Sequence, residues 1–329
     1  MNKKIQKSFT TAIFIVLCLL LLTEVILRYF KLEPTVNDNE NLWSINYSKV
    51  TNSSSNSNSN SVALLGNSRM LTNFDVQQAN ELFTEQEFIQ LGILGSSPVP
   101  ILKDIALSTS FKGLVVVALW EPDIPKNMER TSSPYLSYYK SSFSFNEKVN
   151  VQISTFLESN FVLLHSFYNL RNNLVNLILW REPTKMYVRT DKYRSRDADY
   201  SLLDIQKHRQ SRINKVKRIH NKNNKLTKDQ YFESAQELAK YARKIESRGG
   251  RVIFVYFPLS GETASHIHKL YPRKLYWNRL SSDLGLTTIH YQDYQGLKFK
   301  APDTSHLDIK DKDNFTINLL NIIKPYLKS

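Results

Sequence analysis

Five short apolar runs rich in β-branched residues, at positions 62–65, 88–91, 114–119, 251–257 and 287–289, are each bounded by turn residues. Runs of this length without polar alternation read as strands buried on both faces, the signature of a parallel sheet covered by helices. Helical patterns at 76–83, 99–108, 228–248 and 310–328 alternate with them. The alternation predicts an α/β fold: a doubly wound, mostly parallel five-stranded sheet with helices on both faces. The run at 251–257 is the clearest, opened by Gly249-Gly250 and closed by Pro258.

Residues 126–227 break that rhythm. An aromatic-rich, partly amphipathic stretch through Trp180 is followed by a basic one, and the economical account is an inserted cap between the third and fourth strands that shapes a substrate cleft. Positions 181–228 hold fifteen Lys or Arg against five Asp or Glu, a net +10 of the chain's formal +14. Arg209, Arg212, Lys215, Lys217 and Arg218 belong to this stretch, which suits anionic lipid or an acidic polymer, or forms a plain solvated face. The same charges would suit nucleic acid inside a cell, but the topology read from the N-terminus argues against that partner.

Residues 9–30 are apolar apart from Thr10, Thr11, Thr23, Glu24 and Arg28. As a helix they cover roughly 30 Å, one hydrocarbon core, and so make one transmembrane helix. Lys3, Lys4 and Lys7 precede them, so the positive-inside rule keeps residues 1–8 in the cytoplasm and sends everything after Phe30 across. No small-x-small cleavage site follows the run, and Leu17 stands before Cys18 where a lipoprotein would carry a small residue. The expectation is a single-pass protein of the plasma (inner) membrane with its main domain, residues 62–329, extracytoplasmic. Residues 31–61, rich in Asn and Ser, read as a flexible tether. Cys18 is the single cysteine, so no intrachain disulfide can form and folding rests on a packed core.

Ligands of open α/β sheets sit at the carboxyl ends of the strands. After the first strand comes Gly66-Asn67-Ser68-Arg69, a tight turn that lifts a serine hydroxyl above the sheet edge and starts a helix whose positive end favours an oxyanion. After the second comes Gly92-Ile93-Leu94-Gly95-Ser96, where a glycine lets the backbone approach a substrate closely. Ahead of the last helix lies Asp303-Thr304-Ser305-His306, a spacing at which the carboxylate can orient the imidazole as a general base. These are the parts of a Ser-His-Asp unit.

The three blocks resemble those of the SGNH (GDSL-like) hydrolases. Gly66-Asn67-Ser68-Arg69 is similar to their Gly-Asp-Ser block with Asn for Asp, Gly95 to their second-block glycine, and Asp303-x-x-His306 to their C-terminal Asp-x-x-His block. The likeness runs from Val62 to the C-terminus in block order and spacing. It implies a flavodoxin-like sheet, attack by Ser68 on an acyl carbonyl, proton transfer to His306, orientation of His306 by Asp303, and an oxyanion hole made by the N–H groups of Ser68 and Gly95. Together with the anchor, the chain is most similar to membrane-tethered members that transfer or remove acyl groups on cell-envelope polymers, such as proteins of teichoic-acid D-alanylation and of alginate and peptidoglycan O-acetylation. That resemblance implies an acyl-bearing or anionic envelope polymer as substrate, a membrane acyl-donor protein as a further partner, and no cofactor.

One block departs from the family. Its third, Gly-x-Asn-Asp, supplies a side-chain amide to the oxyanion hole, whereas the equivalent strand end reads Ala118-Leu119-Trp120-Glu121-Pro122-Asp123. Loss of one such donor costs about 100- to 1000-fold in rate. Either Arg69 or a cap asparagine substitutes, or the domain is a slow or silent module that binds a polysaccharide or scaffolds an envelope-modification or export complex. Arg69 can also clamp a carboxylate or phosphate of the substrate, or pair with a nearby acid to hold the turn. Trp120 and Glu121, at a strand end facing the cleft, are further substrate-binding candidates. His266-x-His268 has no third ligand cluster near it and reads as an exposed loop rather than a metal site.

Overall fold

The computed structural model describes residues 3–52, 60–124, 133–168, 171, 175–176, 179 and 181–327. The five expected strands are present as β1 (Ser61–Leu65), β2 (Glu87–Gln90), β3 (Leu114–Ala118), β6 (Arg251–Tyr256) and β7 (Thr288–His290), with β4 (Val188–Thr190) and β5 (Arg196–Ala198) forming a separate antiparallel hairpin. The main sheet is wholly parallel, in the order β2-β1-β3-β6-β7. Every residue of β1 and of β3 is buried, as unalternating apolar runs require when both faces are covered.

Helices follow the strands as expected: α3 (Ser68–Asn73) and α4 (Val76–Leu82) after β1, α5 (Val99–Ser108) after β2, α9 (Lys228–Glu246) before β6, α10 (Gly261–Leu270) and α11 (Trp277–Ser282) after β6, and α12 (Ile309–Ile323) after β7. α5 and α9 pack on one another, while α12 packs against α3 and α4. Thr227 and Gln230 close a reciprocal capping box that starts α9, whose Tyr231, Ala235, Leu238, Ala242 and Ile245 recur at helical spacing and are buried. Between β3 and β6 the insertion supplies α6 (Ser133–Ser141), α7 (Phe145–Asn160), the β4–β5 hairpin and α8 (Ile205–Ile219). Trp180, which closed the aromatic stretch in the sequence, lies outside the described residues.

The structure corrects the tether. Residues 53–59 of the Asn/Ser run lie outside the described residues, but α2 (Glu40–Asn52) is a helix with Trp43, Tyr47 and Val50 fully buried in the main core. Trp43 stacks on Tyr47 at 4.7 Å and its indole N–H donates to Leu91 O at 3.1 Å. Asn46 Nδ2 donates to Gln90 O at 3.1 Å. α2 thereby covers the free edge of β2, satisfying carbonyls that an edge strand would otherwise leave open. Just upstream, Val36 N–H donates to Thr190 O at 2.9 Å and Asn37 N–H to Glu158 Oε2 at 2.8 Å, so the segment is stitched to the insertion. The buried side chains recur at helical spacing, a signal that the polar composition outweighed.

α1 (Lys3–Tyr29) is, among the described residues, the one helix long and apolar enough to cross a membrane. Most of it is exposed, but its last turns are built into the fold. Glu24 accepts the N–H groups of Val162 and Leu163, both at 3.1 Å, and Arg28 donates to Asn160 O at 2.7 Å. Leu27 and Leu32 pack with Val162 and Tyr168.

Part of the positive charge between 181 and 228 is likewise internal. Arg194, 1% exposed, bonds Asp38 at 2.6 Å and the carbonyls of Gln90 and Gly92 at 3.0 Å each. Arg196 pairs with the other oxygen of Asp38 at 2.9 Å, and Arg189 pairs with Glu33. These cations hold the hairpin to the sheet edge and to residues 33–38. Replacing Trp43 with Ala should cost about 3–5 kcal/mol, as for other buried aromatic residues. Urea unfolding of the full chain in detergent measures it, and a change below about 0.5 kcal/mol, normal for a surface substitution, would restore the tether.

Candidate active site

The order in which strands are added reverses at β1, which has β2 on one side and β3 on the other, so a crevice opens beyond the carboxyl ends of β1 and β3. Gly66 is required there by space: a Cβ on it would lie 2.6 Å from Met70 Cβ and 3.0 Å from Ala118 Cβ. Asn67 then caps α3, its Oδ1 accepting Arg69 N–H at 3.0 Å, while its Nδ2 donates to Asp123 Oδ2 at 2.9 Å. Ser68 is thus the first residue of α3, at the mouth of the crevice. The last residue of the same helix, Asn73, accepts Leu307 N–H at 3.0 Å. One short helix holds the serine at one end and the His306 loop at the other.

The Asp303–His306 loop is wound tightly around a carboxylate. Asp303 Oδ1 accepts the N–H groups of Ser305 at 2.9 Å and His306 at 2.7 Å. Thr304 between them takes φ 78, a left-handed conformation costly for a β-branched residue, at about 1–3 kcal/mol. It is held by Thr263 Oγ1 at 2.6 Å and by its backbone bonds to Ala301 and Ser260, both 3.0 Å. The result turns Asp303 Oδ2 toward His306 Nδ1 at 2.8 Å, and His306 Nε2 lies 2.7 Å from Ser68 Oγ.

Charge fixes the direction of these bonds. Burial alone would raise the Asp303 carboxyl, but His306 and the Arg212 guanidinium outweigh it and hold it below the usual carboxylate range. An ionised Asp303 can only accept, so His306 Nδ1 carries its proton and Nε2 is left as the acceptor for the Ser68 hydroxyl. Burial lowers the His306 imidazole to about 4, with Arg212 adding to the effect and Asp303 opposing it. The ring is therefore a neutral base at pH 7, within hydrogen-bond reach of a hydroxyl.

Gly95 sits at φ 68 in the turn after β2 and lines the same cleft as Ser68. Neither its N–H nor that of Ser68 donates to another described residue. Arg69 is buried, lies 4.0 Å over the Trp120 ring and is 3.6 Å from Asp123 Oδ2, so it both pairs with an acid and lines the cleft. Burial raises Asp123 to about 7 against the pull of Arg69. Trp120 lines the cleft as expected, but Glu121 does not: it turns inward beside Tyr256, where burial raises it to about 7. Glu121 is buried among core side chains because the chain tightens into a 3₁₀ turn at Glu121–Asp123, which presents Asp123 instead.

Arg212 was legible in the sequence only as one charge among many. α8 carries it to the relay, where Nε lies 3.2 Å from Asp303 Oδ2 and Nη2 3.2 Å from His306 Nε2. The guanidinium can only donate, so it competes with the Ser68 hydroxyl for the one Nε2 lone pair. Lys215, Val216 and Ile219 follow on the same face of α8, and with Arg196 and Tyr200 from the insertion they wall a cleft of about 590 Å³ over Ser68. A hollow of about 600 Å³ lined by Ser260, Tyr291 and Lys300 lies apart from this constellation.

His266 and His268 lie within α10 (Gly261–Leu270), not in a loop, because Ile267 and Leu270 anchor that segment in the core. His266 bonds the His220 carbonyl, and among the described residues no three His, Cys, Asp or Glu side chains converge as a metal site would require.

No family model and no curated protein sequence matches the chain. Among solved structures it is similar to that of TesA, at 10% identity and a TM-score of 0.36 over 81% of this chain and 99% of that one. It is also similar to a candidate acylhydrolase from Bacteroides fragilis NCTC 9343, at 13% identity and a TM-score of 0.39 over 89% and 100% of the two chains. Likenesses this slight say nothing of function.

Substituting Arg212 with Gln removes a cation that disfavours the imidazolium, so the His306 pKa should rise above its resting value of about 4. Titration of ¹⁵N-histidine signals reads the shift; an unchanged or lower value would contradict the placement of Arg212.

Proposed function

We propose that the chain is a membrane-anchored, extracytoplasmic acyltransferase or esterase of the SGNH type, acting through an acyl-Ser68 intermediate on acyl esters, such as O-acetyl esters, of an envelope glycan or polymer. The observation that carries this reading is the unbroken relay Asp303, His306, Ser68 at the switch point of the sheet. Ser68 Oγ attacks the acyl carbonyl while its proton passes to His306 Nε2. The tetrahedral oxyanion is met by the N–H groups of Ser68 and Gly95, with Arg69 as the cation in the cleft nearest in sequence to the nucleophile. Collapse expels the alcohol, which takes the proton from His306. Water or a sugar hydroxyl then removes the acyl group by the same steps reversed, and the dryness of the cleft decides between hydrolysis and transfer.

Charge in the cleft supports an anionic substrate. Arg69, Arg196, Arg212 and Lys215 line it against Asp123 and Asp303. α1 supports anchoring, since Glu24 and Arg28 fasten its end to the domain in a way that a removed signal peptide would forfeit. Its flanking Lys3, Lys4 and Lys7 favour a cytoplasmic N-terminus and a plasma-membrane location. An acyl-donor protein of the same membrane is the partner this arrangement calls for if the acyl group is transferred.

A second reading, a silent module that binds or scaffolds polysaccharide, draws on the absent third-block asparagine and on Arg212 sharing the His306 lone pair. The two part on one experiment. Incubating the full chain in detergent with an activated acetyl ester should leave one acetyl group on Ser68 by mass spectrometry. Ser68→Ala and His306→Ala should each lose about 10⁴-fold or more in turnover. Unmodified Ser68, with polysaccharide binding and cell complementation intact in both variants, would favour the silent module.

A further inference from the structure

α7 presents to solvent a face that carries large apolar side chains and no charge. Phe145 is 77% exposed, Ile153 56% and Phe156 65%, with Leu157 beside them, and the polar residues that share the face, Asn146, Asn150, Gln152 and Asn160, are uncharged. The charged residues of the helix, Glu147, Lys148 and Glu158, are half-buried and turned away, Glu158 being held by Asn37. Helices of globular proteins orient in the opposite sense, with charge outward. Beyond α7 the exposed apolar surface continues through Leu164 and Phe167.

Where this surface begins is fixed by α1. The end of α7 and the turn after it are bonded to the last turns of the apolar helix, through Arg28 to Asn160 O and Glu24 to the N–H groups of Val162 and Leu163. The apolar face of α7 is therefore continuous with the point at which a transmembrane α1 leaves the bilayer. Arg171, Arg181 and Lys185 follow in the chain, exposed and without an ion-pair partner among the described residues, as anionic head groups would require.

We infer that α7 and residues 161–167 form a second membrane contact, lying in the head-group layer of the bilayer with Phe145, Ile153 and Phe156 inserted. Resting on the membrane-anchored reading of α1, this contact would hold the domain against the membrane surface rather than leave it swinging from the anchor. An apolar, aromatic-bearing helix face of this kind is what binds in the interface plane, and an exposed apolar patch of this extent is otherwise a liability in a water-borne domain.

The test begins by removing the single native cysteine. In a Cys18→Ser background of the full chain, spin labels are attached to cysteines replacing Phe145, Ile153 and Phe156, with one in α1 at Ile15 and one replacing exposed Lys240 on α9 as the aqueous reference. The protein is reconstituted into vesicles of phosphatidylethanolamine and phosphatidylglycerol. The expected result is a loss of collisions with a water-soluble nickel chelate and a gain of collisions with oxygen at the three α7 sites, relative to Lys240. Chelate collisions at those sites equal to those at Lys240, while Ile15 stays shielded, would overturn the contact and leave the anchor standing. Shielding of all three sites from both reagents would overturn it in favour of a protein partner. A water-exposed Ile15 would instead show that the anchor itself is wrong.

Discussion

A neutral imidazole has one lone pair, and the site is organised around the one on His306 Nε2. Asp303 fixes the tautomer that leaves it free, the Ser68 hydroxyl donates to it at 2.7 Å, and the Arg212 guanidinium reaches for it at 3.2 Å. Ser68 and His306 are 238 residues apart in the chain, so their distance is a property of the fold. It is set by α3, whose first residue is Ser68 and whose last grips Leu307, and by Thr304, whose left-handed backbone winds the loop so that one Asp303 oxygen faces the loop and the other faces the ring. Strain at Thr304 is tolerated because hydrogen bonds from three sides over-determine it.

The insertion works on the site from the other direction. Buried Arg194 and Lys312 fasten the β4–β5 hairpin to the sheet edge and to α4 and α12, Lys312 pairing with Asp75 at 2.9 Å and Asp197 at 2.7 Å. Buried pairs of this kind contribute little net stability relative to apolar packing, and here they hold in place the hairpin that leads into α8. α8 then lays Arg212 and Lys215 over Ser68. The basic stretch thus divides into cations that hold the cap and cations that face the cleft, a division that total charge cannot reveal.

Much of the fold and the relay could be read from the sequence for physical reasons. Strands buried on both faces leave unbroken apolar runs, and glycines such as Gly66 and Gly95 mark places where close approach or a positive φ excludes other residues. Asp303 and His306 are local to each other, and Ser68 sits at a strand end, so block order sufficed to list them together. What escaped was long-range or masked by composition. α2 hid its Trp43, Tyr47 and Val50 spacing in a polar segment, a 3₁₀ turn put Asp123 in the cleft where Glu121 was expected, and the approach of Arg212 to His306 depends on how a remote helix is seated.

All of this geometry serves one event, the activation of Ser68 by His306. A fluorophosphonate ester reacts with a serine only when its proton is withdrawn, and needs no knowledge of the natural substrate. Full-length protein treated with one should carry a single phosphonyl group on Ser68, and His306→Ala should carry none on the same timescale. Equal labelling of the two proteins, or none of the wild type at any pH above the His306 value of about 4, would contradict it.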